Sequence, residues 1–222
     1  MPICYILLSP TLGMHHYTAD LANRAAAGAF TGGEACETHL VTTATLIRDR
    51  YGPMVSIHTP VSTHGTGFAP DGLRLHGFRR ALDAVVETGC HVAHITGVHA
   101  WNVPLARALR RRGMRLIHTL HDLDPHHGVR FHHLIRLWNW LIIASVDHIL
   151  VHGECYRQRL LARGLPANRV TRVPLLHLFL SYEGERSLVA EGVQADALDA
   201  PLVLFFGRVE PYKGVNVLLA AW

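Results

Sequence analysis

Along most of the chain, short apolar runs alternate with segments whose apolar residues recur at helical spacing. No other feature constrains the fold as strongly. A strand buried on both faces reads as a nearly continuous apolar run, whereas a covering helix shows an apolar stripe every three or four residues. Repeating that pair gives βαβ units, hence an α/β fold with a parallel sheet flanked by helices. A first strand is predicted over 3–8, then a loop over 9–13 and a helix over about 16–29. The inner stripe of that helix is Leu21, Ala22, Ala25 and Ala29, and Gly32-Gly33 closes it. Further strands are predicted at 38–42, 55–59, 91–95, 115–120, 147–151 and 169–173. The intervening helices fall at 72–88, 101–112, 131–145 and 154–163, with Pro104 in a first turn and Gly164 behind the last. Residues 61–71, rich in Gly, Thr and Pro, read as a loop.

Composition narrows the class. An apolar fraction of 49% with 17% charged residues is that of a globular chain. The four cysteines (Cys4, Cys36, Cys90, Cys155) form no C-x-x-C pair, as expected of reduced, packed thiols in a cytoplasmic protein. The N-terminus has no basic n-region, and no run reaches the ~18 apolar residues of a spanning helix. The longest candidate, Leu134 to Val146, is interrupted by Arg136 and Asn139. A net charge of +4 favours anionic partners in general.

The pattern divides the chain into a domain over 1–180, an acidic linker over 181–200 and a new unit over 201–222. That unit comprises a strand at 202–206, a turn at 207–211 and a helix from about Lys213. A lone strand and helix cannot bury an apolar face, so the unit reads as the start of an incomplete second domain. Its turn holds the most distinctive string in the chain, Phe205-Phe206-Gly207-Arg208-Val209-Glu210-Pro211-Tyr212-Lys213-Gly214. Gly207 lets the backbone leave the strand sharply, and Arg208 and Lys213 can converge at the N-terminus of the following helix. A guanidinium fork with an ammonium point charge suits a diphosphate. The alternative is a βα loop bearing two solvated cations.

The string Gly207-Arg208-x-x-Pro211-x-Lys213-Gly214 after an apolar strand resembles the start of the donor-binding domain of glycosyltransferase family 4. The resemblance implies a retaining enzyme of the GT-B fold, built from two facing Rossmann-like domains. Residues 1–180 would be the N-terminal, acceptor-side domain and 201–222 a truncated nucleotide-sugar-binding domain. It implies a nucleotide-diphosphate sugar as donor and a glycan or lipid-linked acceptor, with no metal and no other cofactor. Arg208 and Lys213 would contact the donor diphosphate, Gly13 would belong to a glycine loop at the cleft, and His121 would contact the transferred sugar. The segments His94 to Trp101, Leu116 to Asp122, Val151 to Glu154 and Arg169 to Pro174 follow the order of the family's N-terminal domain. The family's Glu-x7-Glu motif has no counterpart, so residues 1–222 alone are expected to transfer no sugar.

Eighteen histidines are an anomaly, densest in His118-Thr119-Leu120-His121-Asp122-Leu123-Asp124-Pro125-His126-His127. Three readings stand: a cleft-lining strand end, a metal site, or a solvated loop. Residues three apart on a strand point to opposite sides, which sets His118 against His121. A metal-dependent hydrolase using His118, His121, Asp122 and His126 is the rival from another class, and a non-catalytic or split subunit is the rival within the fold. Lastly, Arg107, Arg110, Arg111, Arg112 and Arg115 precede Phe131, Arg136, Trp138 and Trp140. They read either as a solvated charge run beside a core helix or as a surface for peripheral contact with an anionic membrane. Without a recognised binding module, nucleic acid is not an expected partner.

Overall fold

The structure, a computed structural model, describes residues 2–9, 11–62, 67, 74–124, 132–175, 205, 209 and 213–222. Arg208, His126, Phe131, the linker 181–200 and most of the predicted strand 202–206 lie outside them. The strands are β1 (Ile3–Leu7), β2 (Thr38–Thr43), β3 (Val55–Val61), β4 (Val92–Ile95), β5 (Arg115–Leu120), β6 (His148–Val151) and β7 (Val170–Arg172). All pair in parallel, in the order β3-β2-β1-β4-β5-β6-β7. The helices are α1 (Leu12–Ala26), α2 (Leu75–Glu87), α3 (Asn102–Arg110), α4 (His132–Ser145), α5 (Glu154–Ala162) and α6 (Val215–Ala221). The predicted Rossmann-like α/β class is the observed one.

The period of two in β1 sorts the core into two layers. Tyr5 and Leu7 pack with Leu40 against the small residues Ala19, Ala22, Ala25 and Ala26 of α1. Cys4, Ile6 and Leu8 face the other way, into a core shared with Leu82 and Val85 of α2, Leu105 and Leu109 of α3, and Ile142 of α4. Each large aliphatic side chain removed from water there contributes roughly 1.5–3 kcal/mol.

Three boundaries differ from the sequence reading, each for a local reason. Helix α1 starts at Leu12, because the Thr11 carbonyl already accepts the Met14 and His15 N–H groups at 3.1 Å each. Gly13 therefore lies in the first helical turn, not in a loop. At the other end Gly28, not Gly32-Gly33, terminates the helix. Gly28 adopts φ 78°, its N–H donates to Ala25 O at 3.0 Å, and the Ala29 N–H donates to Arg24 O at 2.9 Å. This is a Schellman closure, and it leaves Ala29 exposed while Ala26 completes the buried stripe. Strand β3 continues through Pro60 to Val61, which a strand at the sheet edge can do because one row of its N–H groups has no ladder to join.

β1 and β4 run side by side at the centre of the sheet, and Gly97 follows the end of β4. A Cβ on Gly97 would stand 2.6 Å from Leu7 Cδ1 and 2.7 Å from Ser9 Oγ, with Leu7 fully buried. Its carbonyl also accepts from the Asn102 side chain at 2.8 Å, tying the strand end to α3. Gly97→Ala is thus expected to cost about 1–3 kcal/mol through overpacking. Chemical denaturation measures this, and a loss below about 0.5 kcal/mol would show that the strand ends yield freely.

Candidate active site at the carboxyl edge of the sheet

The strand order reverses direction between β1 and β4, and ligands of open parallel sheets sit beyond the strand carboxyl ends at such a point. Here the two strands and α1 are tied together by hydroxyl groups. The Thr96 N–H donates to Ile6 O at 3.0 Å, the Thr18 hydroxyl donates to Met14 O at 2.7 Å, and the Thr18 and Thr96 hydroxyls meet at 2.7 Å. One helical turn supplies the next link. Tyr17 lies beside Thr18 on α1, and its hydroxyl is 2.9 Å from the Thr119 hydroxyl of β5. Thr119 in turn meets His94 Nε2 of β4 at 2.8 Å.

His94 and His118 are held neutral by burial. Each imidazole is shut off from water, and desolvation of the charged form pushes each down to about 3. His118 Nδ1 donates to Ile95 O at 3.1 Å, and its ring meets the Trp138 indole edge-on at 6.0 Å between centroids. His121, three residues on, packs instead against Tyr17 of α1, at 5.0 Å between centroids. The two histidines therefore serve opposite faces, as their spacing predicts.

His121 stands one residue past β5, and His152 one residue past β6, where Leu120 and Val151 are register partners. The imidazoles meet, His121 Nδ1 to His152 Nε2, at 3.1 Å. His121 Nε2 donates to Thr96 O at 2.8 Å, and His152 Nδ1 donates to Val173 O at 3.0 Å. Tyr17 presents its ring to both, edge-on. Burial pushes the His121 imidazole below its ordinary value, while the Thr96 carbonyl and Asp122 act in the opposite sense. Both ring nitrogens of His121 are engaged, so a ligand's polar group would have to replace the Thr96 carbonyl or His152 as a partner.

Of the residues expected at the site, His121 and the first turn of α1 carrying Gly13 belong to one neighbourhood, joined through Tyr17. The space where a Gly13 side chain would project is open to 4 Å. Lys213 is exposed on the segment 213–222, ahead of Gly214 (φ 71°) and α6. The sequence reading did not single out His152, Tyr17 or Thr119. A usable signal existed, since His121 and His152 each stand immediately after an apolar strand. His99 is structural: it is buried, and its Nδ1 accepts the Trp101 N–H at 3.1 Å at the start of α3. Among the described residues, no three or more His, Cys, Asp or Glu side chains are grouped so as to hold a metal ion.

The basic and aromatic material divides in two. Trp138 is buried beside His118 and belongs to the core. Leu134, Leu137, Trp140 and Leu141 are exposed on α4. Around them Arg136, Arg159 and Arg163 surround the single carboxylate of Asp124, and Arg163 also lies over the Trp140 ring at 5.4 Å. Among the described residues no helix is long and apolar enough to cross a membrane.

Buried neutral histidines make the fold sensitive to acid. In the unfolded chain His94 and His118 take up protons below about pH 6.5, whereas in the fold they refuse them down to about 3. Stability is then fully present above pH 6.5 and falls as pH drops towards 3, by about 2 kcal/mol per histidine between pH 7 and pH 5. Denaturant titrations at those two pH values should show this loss, and equal midpoints would mean that the rings are not held neutral.

Residues 13–175 match the glycosyl transferase 4-like domain. No curated protein matches the chain. Among solved structures, the lipopolysaccharide outer core galactosyltransferase WaaB in its apo form aligns with a TM-score of 0.53 at 14% identity, over 78% of this chain and 45% of that one. UDP-N-acetylglucosamine 2-epimerase from Rickettsia bellii aligns with a TM-score of 0.52 at 13% identity, over 90% of this chain and 52% of that one. The Neisseria meningitidis UDP-GlcNAc 2-epimerase bound to UDP-GlcNAc gives 0.52 at 11% identity, over 78% and 46%. At these identities the likeness shows the fold alone, and the chain spans about half the length of the structures it matches. Its family is shown by the domain match, which covers most of the chain: this protein belongs to the glycosyl transferase 4-like family.

Proposed function

We propose that the chain is part of a glycosyltransferase that moves a sugar from a nucleotide-diphosphate donor to a glycan or lipid-linked acceptor, with retention of configuration. One observation carries the reading. In a member of this family, Tyr17, Thr96, His121 and His152 converge at the sheet's carboxyl edge beside the point where strand order reverses. Two solved structures with a similar fold support a nucleotide-sugar ligand, one being a galactosyltransferase and the other an epimerase bound to UDP-GlcNAc.

In this reading residues 1–180 hold the acceptor side, and residues from 201 onward begin the donor side. As the bond from the anomeric carbon to the diphosphate breaks, negative charge grows on the leaving phosphates, and the acceptor hydroxyl attacks from the same face. Arg208 and Lys213 neutralise that charge, doing without a metal ion what a divalent cation does elsewhere. His121 and the first turn of α1 at Gly13 shape the sugar's side of the cleft.

In the complete enzyme, Arg208→Ala and Lys213→Ala should each cost about 2–4 kcal/mol of transition-state stabilisation, or roughly 30- to 1000-fold in kcat/KM. Glu210→Ala, in the same loop but of the wrong sign, should cost little, and a chelator should leave the rate unchanged. Near-normal kcat/KM in both cation variants would remove the diphosphate role. Stoichiometric zinc in the purified protein, lost together with fold or activity in chelator, would favour the hydrolase.

The outer face of α4 suggests where a lipid-linked acceptor is met. Apolar Leu134, Leu137, Trp140 and Leu141 project among arginines, a combination suited to the interface of an anionic bilayer. The protein should co-sediment with vesicles rich in anionic lipid, and Leu137→Glu with Leu141→Glu should reduce the bound fraction several-fold. Equal sedimentation of wild type and double variant would exclude this face.

A further inference from the structure

We infer that His121 and His152 share one proton more than two neutral imidazoles can supply, forming a monocationic pair at the carboxyl ends of β5 and β6. The inference is a count of hydrogens. Three contacts lie in a row: Thr96 O to His121 Nε2 at 2.8 Å, His121 Nδ1 to His152 Nε2 at 3.1 Å, and His152 Nδ1 to Val173 O at 3.0 Å. A carbonyl can only accept, so each outer contact requires a proton on its ring nitrogen. A neutral imidazole has one N–H, and the outer contacts consume both. The inner nitrogens would then face each other with lone pairs only. Moving either proton inward repairs the middle contact and leaves a lone pair against a carbonyl. Every neutral arrangement fails at one of the three contacts, and one added proton satisfies all three.

The surroundings can hold that charge. Asp122, next in the chain, favours the charged form of His121. Tyr17 of α1 packs with its ring nearly perpendicular to both imidazoles and fixes their place without adding a charge. His94 of β4 and, on the other face of the sheet, His118 of β5 are the further imidazoles coupled to His121, and both are neutral through burial, so they add no competing charge. Burial of His121 opposes the charge, and so does any charge on His152, which limits the pair to a single added proton. The two protonated macrostates of such a pair differ sharply, because a second added proton would place two cations in contact.

His152 is thereby a positioning residue: it fixes the tautomer, orientation and charge of His121. That role rests on the proposed place of His121 in the sugar cleft, whereas the proton count does not. The test is nitrogen NMR on the full chain labelled with 15N at histidine, titrated from about pH 6 upward. In the wild type, three of the four ring nitrogens of the pair should carry a proton at about pH 6, and one proton should leave in a single step as pH rises. In His152→Gln the side-chain amide can donate to His121 Nδ1, so His121 should be neutral, protonated at Nε2, throughout that range. Only two protonated nitrogens in the wild type at about pH 6 would overturn the inference. So would His121 signals unchanged in a His152→Gln protein that folds normally. Since no sugar nucleotide enters the measurement, failure here leaves the glycosyltransferase reading standing, and loss of that reading leaves the proton count standing.

Discussion

The parallel ladder between β1 and β4 is the interaction on which the remaining architecture depends. It joins the half of the sheet built outward through β2 and β3 to the half built outward through β5, β6 and β7. Strand order reverses at this seam, and in open parallel sheets such a reversal is where ligands sit beyond the strand carboxyl ends. Gly97 lets β4 end close against Leu7 and Ser9, while the hydroxyls of Thr18 and Thr96 fasten α1 over the seam. The small residues Ala19, Ala22, Ala25 and Ala26 let α1 lie close to the sheet, which brings Tyr17 within reach of β5 and β6.

The sheet was legible in the sequence because each strand is an apolar run too short for a helix, followed by helical periodicity. Boundaries failed where side chains say little and hydrogen bonding decides. Gly28 and Gly32-Gly33 are equally good stop signals in a sequence, and only the pairing of Ala29 with Arg24 selects the first. Pro60 looks like the end of a strand until β3 is known to be an edge. At the site, His121 was singled out by the family resemblance, and its place just past a strand in a dense polar cluster agreed with that. His152 was not, because its significance lies in the register of β6 against β5, a relation between segments that neither contains alone.

Histidines that look alike in sequence divide by depth. His94 and His118 lie within strands, where both faces of the sheet are covered, and desolvation makes the neutral ring the only stable form. His121 and His152 lie one residue past their strands, where the Thr96 and Val173 carbonyls accept their ring N–H groups. Inside the sheet an imidazole fills space and satisfies a hydroxyl or a carbonyl. At its edge the same ring bridges segments, and its protonation becomes adjustable.

This division bears on how the crevice could treat a charged sugar donor. Arg208 and Lys213, on the later segment, are in the proposed role the groups that meet the donor diphosphate. A histidine pair is a different kind of cation, whose charge depends on a hydrogen-bond chain that a ligand can interrupt. A sugar hydroxyl that displaced Thr96 O or His152 would alter the number of protons the pair can hold, since the three-contact count would no longer apply. If a sugar binds in this way, its binding and the protonation of the pair are linked, and the linkage runs in both directions. His94, inside the ladder, meets the pair's surroundings only through Thr119 and Tyr17, and burial keeps its ring neutral.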